Sequence, residues 1–547
     1  MATISRYGTF LMTSAACFAL AGCGGADSVA SPGAGSVTIV QPAPTPTPTA
    51  PTPTPTAITA AQFAAVTTVN GISITADEQL AIVNAGSNNN VNGTGAQLNG
   101  IYPVSSTSLT TATDPSSINS FFTSTNYVGA LNGPSDTSFQ GWTCNSTAAE
   151  FGGSGARCTA VPALGSHASG AACPTGTVTA TGGSGTATAA TVGGFKVCDI
   201  PQAITSSLTL PRIPGIAYRL TGQTEVGTDL GATGGAGATL TIEAGVTVFA
   251  NANEATNDLL LVNRGSKLVA VGTRDAPIIF TSQQNVTSAT GESETSQGHW
   301  GGVILLGRAP TGVCASGTGP NNAAGSSTTC QQAIEGVTGR FYGGPTATDS
   351  SGQMSYVQIR YSGIAISDGN ELQGLTLGGT GSGTTIDHVQ SHNSADDGIE
   401  IFGGTTNIKY FAVTGADDDG YDIDNGYRGF MRFIIAAQKI TPATADSFST
   451  EIDSNGAEDL LPRTFGQYSN FTFVQTAFAP AAIRQRGGSD MRFINGIVKA
   501  PTSVACINLV AQEASQADRS TIRAADASKQ DVGPPIFTSV YFNCNGR

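Results

Sequence analysis

Eight acidic residues fall between positions 396 and 424: Asp396, Asp397, Glu400, Asp417, Asp418, Asp419, Asp422 and Asp424, with Lys409 the one base among them. Carboxylates at this density repel one another unless a proton or a cation stands between them. Two kinds of chemistry follow. Oxygen ligands offered by Asp396, Asp397, Asp418, Asp419 and Asp422 suit Ca²⁺, a hard cation that takes about six to eight oxygens. Paired carboxylates such as Asp418 and Asp422 also suit acid and base roles in glycoside hydrolysis, where their separation sets the stereochemical outcome.

The elements that position these residues are legible as a repeat. Ile386–Gly404 (IDHVQSHNSADDGIEIFGG) lies over Ile408–Gly426 (IKYFAVTGADDDGYDIDNG) at an offset of 22 residues, so that Asp396 falls on Asp418, Asp397 on Asp419, Gly398 on Gly420 and Glu400 on Asp422. A period near 22 without helical patterning implies one coil per repeat. The short runs alternate apolar and polar residues, and Gly, Asn and Asp interrupt them where a chain can turn. These features predict a parallel β-helix of about ten coils from about residue 205, in which equivalent residues of successive coils stack about 4.8 Å apart. A β-sandwich would instead need hairpin turns joining antiparallel strands.

With Ile399 and Ile401 inward, Glu400 and Phe402 point outward. Ser449–Asp453 repeats the strand, and Ala482–Gly488 repeats it again after a longer loop. The register then gives two outer columns, Glu400–Asp422–Glu451–Arg484 and Phe402–Asp424–Asp453–Arg486. Asp422, Glu451, Arg484 and Arg486 are the catalytic candidates, an Arg or Asp moving a proton while calcium neutralises a uronate carboxylate. Glu400, Phe402, Asp424 and Asp453 are the ligand-binding candidates, Phe402 as an exposed ring on which a sugar could stack. The Asp-Asp-Gly corners have a simpler reading as well: Asp oxygens accept corner N–H groups and Gly supplies a positive φ. A one-residue slip across the 430–482 loop would turn both arginines inward.

Composition narrows the field. The 547 residues carry a net charge of −14, which excludes a nucleic-acid binder working by bulk charge. Seventy glycines and only 11% charged residues favour a turn-rich all-β chain over a helical one. Arg6, the apolar run Phe10–Leu20 and Leu20-Ala21-Gly22-Cys23 have the arrangement of an exported leader ending in a lipobox-like signal. Cleavage before Cys23 and lipidation of its sulfur are expected, with Gly24 favouring the outer membrane or cell surface. The Pro/Thr repeats between Pro44 and Pro55 form a tether spanning roughly 40 Å at about 3.1 Å per residue. Eight further cysteines read as disulfides, spacing favouring Cys144–Cys158, Cys173–Cys198, Cys314–Cys330 and Cys506–Cys544 among the possible pairings. His388 and His392 stand four apart without the His-Glu-x-x-His order of a metalloprotease.

The stretches TLTIEAGVTVFA (239–250), LVAVGTRDAPIIFTS (268–282), WGGVILLGRAP (300–310), LTLGGTGSGTTIDHVQ (375–390) and ADDGIEIFGGTTNIKY (395–410) resemble a family of bacterial surface lipoproteins, and FFTSTNYVGAL (121–131) resembles its short N-terminal element. The resemblance implies an all-β, right-handed parallel β-helix of the pectate-lyase type and brings no established activity. The resulting organisation is a leader at 1–22, a lipidated Cys23 with its linker at 23–57, an N-terminal region with Cys-bounded loops at 58–204, and the β-helix at 205–547. The leading expectation is a lipid-anchored, non-enzymatic surface protein that binds a glycan or another surface component. A calcium-dependent polysaccharide lyase or glycoside hydrolase is the alternative, and a structural or adhesive surface protein is a third.

Overall fold

The computed structural model describes residues 28–30 and 36–38 and, apart from interruptions at 134, 153–154, 163–170, 181–190, 193–194, 251–256, 288–291, 315–328, 368–369, 441–443, 445–446, 455–458, 477–478, 480, 502, 510–520 and 522–523, residues 112–544. The expected leader, Cys23 and the Pro/Thr repeats lie outside the described residues. In the N-terminal unit, Ser28–Ala30 pairs antiparallel with Ser36–Thr38.

The rest of the fold is a right-handed parallel β-helix. One of its sheets takes a strand from each of ten successive coils: β1 (Ala203–Ile204), β2 (Gln223–Val226), β3 (Leu259–Val262), β4 (Val303–Leu306), β5 (Leu375–Gly378), β6 (Ile399–Phe402), β7 (Tyr421–Asp424), β8 (Thr450–Ile452), β9 (Ala481–Gln485) and β10 (Ala505–Leu509). All nine pairings along this sheet are parallel. Alternation decides which residues face in: Ile399, Ile401, Tyr421, Ile423, Ile452 and Ile483 line the apolar interior and are excluded from water. Each such side chain contributes about 1.5–3 kcal/mol by burial.

The later coils are completed by long strands, Gly352–Arg360, Thr385–His392, Asn407–Thr414, Phe430–Ala437, Phe465–Val474 and Asp490–Lys499. Each is bent midway by one non-glycine residue in the left-handed region: Tyr356, His388, Tyr410, Phe433, Asn470 and Asn495, with φ between 52° and 59°. Residues bearing Cβ rarely adopt this conformation, and its recurrence marks a corner that the coil geometry imposes. The four rings stack along the corner, with centroid separations of 4.4 Å from Tyr356 to His388, 4.4 Å from His388 to Tyr410 and 4.8 Å from Tyr410 to Phe433.

The N-terminal segment runs along this corner against the direction in which the coils are added. Thr113 N–H donates to Asn495 Oδ1 (3.0 Å), and the Asn470 amide donates to the carbonyls of Tyr127 (3.1 Å) and Gly129 (3.2 Å). Farther along, Phe139 packs on Tyr410 and Trp142 on His388. Gln390 brackets Cys144, accepting from its N–H at 2.8 Å and donating to its carbonyl at 3.1 Å. Disulfides join Cys144 to Cys158, Cys173 to Cys198, Cys314 to Cys330 and Cys506 to Cys544.

Candidate functional site

Parallel pairing sets the two outer columns. Glu400 of β6 is partnered by Asp422 of β7, Asp422 by Glu451 of β8, and Glu451 by Arg484 of β9. Thr376 precedes this column and Asn508 follows it. In the neighbouring column Phe402 is partnered by Asp424. Asp453 and Arg486 continue past the ends of β8 and β9, where Arg486 Nε lies 3.0 Å from Asp453 Oδ2. Carboxylates therefore succeed one another at single-strand spacing and end in two arginines.

The corners before β6 and β7 show why aspartate stands there. Asp397 Oδ1 accepts the N–H of Asp419 one coil on at 2.8 Å, and Asp419 Oδ1 accepts the N–H of Phe448 on the next coil at 2.6 Å. Each carboxylate thus ties its corner to the following one. The glycines of the motif serve a purpose other than the expected one. Gly398 and Gly420 do not adopt a positive φ; a Cβ on Gly398 would strike the Val413 side chain, and one on Gly420 would lie 2.6 Å from Ser449 O. Close stacking of coils, and not turn geometry, excludes a side chain at these positions.

Corner bonding leaves other carboxylate oxygens facing one another. Among the described residues, two groups have ligand atoms within 4.8 Å of each other: Asp396, Asp397 and Asp418, and Asp397, Glu400 and Asp422. Glu400 Oε2 and Asp422 Oδ1 are buried without a hydrogen-bond partner. Burial, reinforced by the Asp418 charge, pushes Asp396 up to about 9. Burial and mutual repulsion also raise Asp397, Glu400, Asp419, Asp422 and Asp424 well above the usual carboxylate range. The group thus retains protons or takes up a cation.

Two expectations are corrected. The acidic columns are not an open face: Glu400 is 6% exposed, and Glu451 and Asp453 are also buried. Phe402 is likewise 6% exposed and is no free platform for a sugar. It points away from the coil interior, yet Tyr342 covers it at a centroid distance of 6.0 Å, within an apolar cluster that includes Ile334 and Leu306. The cover comes from the chain between β4 and β5. Gly312 N–H donates to Asn425 O at 2.6 Å, Thr311 Oγ1 to the same carbonyl at 3.1 Å, and Asn425 Nδ2 to the Tyr342 hydroxyl at 3.1 Å.

The arginines close the columns. Arg486 Nε lies 2.5 Å from Glu451 and 3.0 Å from Asp453, and Arg484 lies 3.3 Å from Glu451 with its guanidinium over the Phe448 ring. Burial works against the Arg486 charge, but Asp453 and Glu451 more than offset it and raise the guanidinium further. Asp417 is held apart from the cluster in a buried pair with Lys439 at 2.8 Å.

Sequence reasoning missed Glu335 and Glu371, whose charges add to those raising Asp396. Both lie in the stretch between β4 and β5, outside the 22-residue repeat that made the other acids visible. His392 is buried, with Nδ1 2.9 Å from Thr414 Oγ1, and burial lowers it to about 3.

Residues 203–535 match the family model described as a pectate-lyase like beta helix domain, a span that takes in all ten strands and both columns. No curated protein matches the chain, and no solved structure does.

Proposed function

The chain belongs to the pectate-lyase-like β-helix family, and from that premise we propose that it is a lipid-anchored surface protein that holds Ca²⁺ among its column carboxylates and binds a glycan without cleaving it. The observation that carries this reading is the register contact of Glu400 with Asp422, each with an oxygen that no donor reaches, beside Asp397. The donors are all hard oxygens and suit Ca²⁺. Asp397, Glu400 and Asp422 would hold one ion, and Asp396 and Asp418 the neighbouring position. A bound ion supplies the positive charge that offsets the clustered carboxylates.

Binding is favoured over cleavage by the state of the arginines. A general base must be able to accept a proton, and Arg484 and Arg486 are engaged instead in ion pairs with Glu451 and Asp453. The lipobox-like Leu20–Cys23 and the Pro/Thr linker support attachment to a membrane through Cys23, at the outer membrane or cell surface, with a glycan or surface protein as partner. The domain boundaries at 22, 57 and 204 belong to the same proposal.

The test incubates full-length protein with acidic and neutral polysaccharides, with and without Ca²⁺, and scores both depletion of protein and new chain ends. Calcium-dependent depletion without new chain ends supports the proposal. New chain ends would establish a lyase or hydrolase in its place, and neither signal would leave a structural or adhesive role.

A further inference from the structure

A second site lies away from the columns, between the Cys144–Cys158 loop and the β-helix. A cavity of about 220 Å³ opens there, lined by Thr143 and Ala156 from the loop, by Asp275 and Pro277 from the turn after Lys267–Val271, and by Arg360. It is smaller than the roughly 300–1,000 Å³ typical of drug-sized ligands, which limits its occupant to a molecule of few carbons.

Arg360 is the unusual member. Among the described residues, three arginines have side chains less than 2% exposed. Arg264 meets Asp229, and Arg463 meets Asp490 and Asp531. Arg360 meets no carboxylate among the described residues. Its Nε donates to Gln358 Oε1 at 2.9 Å, and Nη1 donates to the carbonyls of Cys158 (2.9 Å) and Ala160 (2.7 Å) and to Asn285 Oδ1 (3.3 Å). Nη2 also bonds Gln358 Oε1, which leaves it a second hydrogen. Neutral acceptors satisfy hydrogen bonds without supplying the counter-charge that a buried cation requires. Burial accordingly lowers this guanidinium to about 10.

We infer that the cavity binds a small hydroxy-monocarboxylate, its carboxylate on Arg360. One guanidinium matches one carboxylate, and hydrogen bonds between charged groups are stronger than those between neutral ones. Asp275 is a lining residue of the same cavity, where its charge would disfavour a doubly charged anion such as phosphate and its oxygens would accept ligand hydroxyls. Pro277 and Ile279 offer an apolar wall to the carbon chain. The disulfide between Cys144 and Cys158 fixes the opposite wall, so little ordering is left for binding.

Gluconate is a suitable probe, because sorbitol has the same carbon chain without the carboxylate. Calorimetry on the full-length protein is expected to give one gluconate per chain, with sorbitol and inorganic phosphate at least about tenfold weaker. Arg360→Lys, which keeps the charge but removes the remaining Nη2 hydrogen, should weaken gluconate by about tenfold. Ala156 lies at the solvent-exposed edge of the cavity, so Ala156→Trp should remove binding while leaving the melting temperature unchanged. Equal affinity for gluconate and sorbitol, no binding at millimolar gluconate, or binding that survives Ala156→Trp would each overturn the assignment.

Discussion

Glu400 and Asp422 are register partners on adjacent parallel strands, and each keeps a buried carboxylate oxygen that no donor reaches. Two such groups at one-strand spacing destabilise the cation-free protein, and one mediator relieves both. Millimolar Ca²⁺ is therefore expected to raise the melting temperature, with the excess over the chelated protein growing with ligand concentration. The double variant Glu400→Gln, Asp422→Asn should melt higher than the wild type in chelator and lose the calcium response. A wild-type melting temperature indifferent to both calcium and chelator would count against a cation at this position.

Phe402 reports on the cover over the columns. Phe402→Ala leaves a hole against Tyr342 and is expected to cost about 3–5 kcal/mol in denaturant unfolding, the range for a buried Phe. A loss below about 1 kcal/mol would mean that the ring is solvated in solution.

His392 gives the protein an acid-sensitive element. Its folded value, about 3, lies below the ordinary value of 6.5, so below 6.5 the unfolded chain takes up a proton that the folded chain refuses. The corresponding stability is present above pH 6.5 and is lost as pH falls toward 3, about 2 kcal/mol of it by about pH 5. His392→Gln should flatten this part of the stability profile while leaving the alkaline side unchanged.

Arg463 secures the last coils. Its guanidinium pairs with Asp490 at 3.2 Å and Asp531 at 3.3 Å, all three side chains being shielded from solvent. Arg463→Met strands two buried carboxylates and should cost about 3–5 kcal/mol. Limited proteolysis should then cut first beyond residue 490, and cleavage spread evenly along the chain would show that the pair does not anchor this end.

The legible part of the site is the part governed by period. Ile399 and Ile401 alternate with Glu400 and Phe402, and the 22-residue offset aligns Glu400 with Asp422, so direction and register could both be read before any coordinates. A two-residue period distinguishes the inside of a coil from its outside, but it carries no information about what lies over the outside. Phe402 is the case in point: it does leave the coil interior, and the cover formed by Tyr342 and Thr311 comes from a stretch without repeat. The same limit explains Glu335 and Glu371. The corner conformation of Tyr356, His388 and Tyr410 is illegible for another reason, since left-handed backbone is usually signalled by Gly or Asn and here aromatic stacking accompanies it.

The direction of the N-terminal segment bears on the order of assembly. Its beginning, Thr113, is bonded to Asn495, whereas Cys158 reaches Arg360. Residues near 113 must wait for the coil that carries Asn495 before they have anything to rest on. A solenoid can grow one rung at a time, but this strap can close only after a stretch of chain 382 residues downstream has coiled, so its docking is a late step.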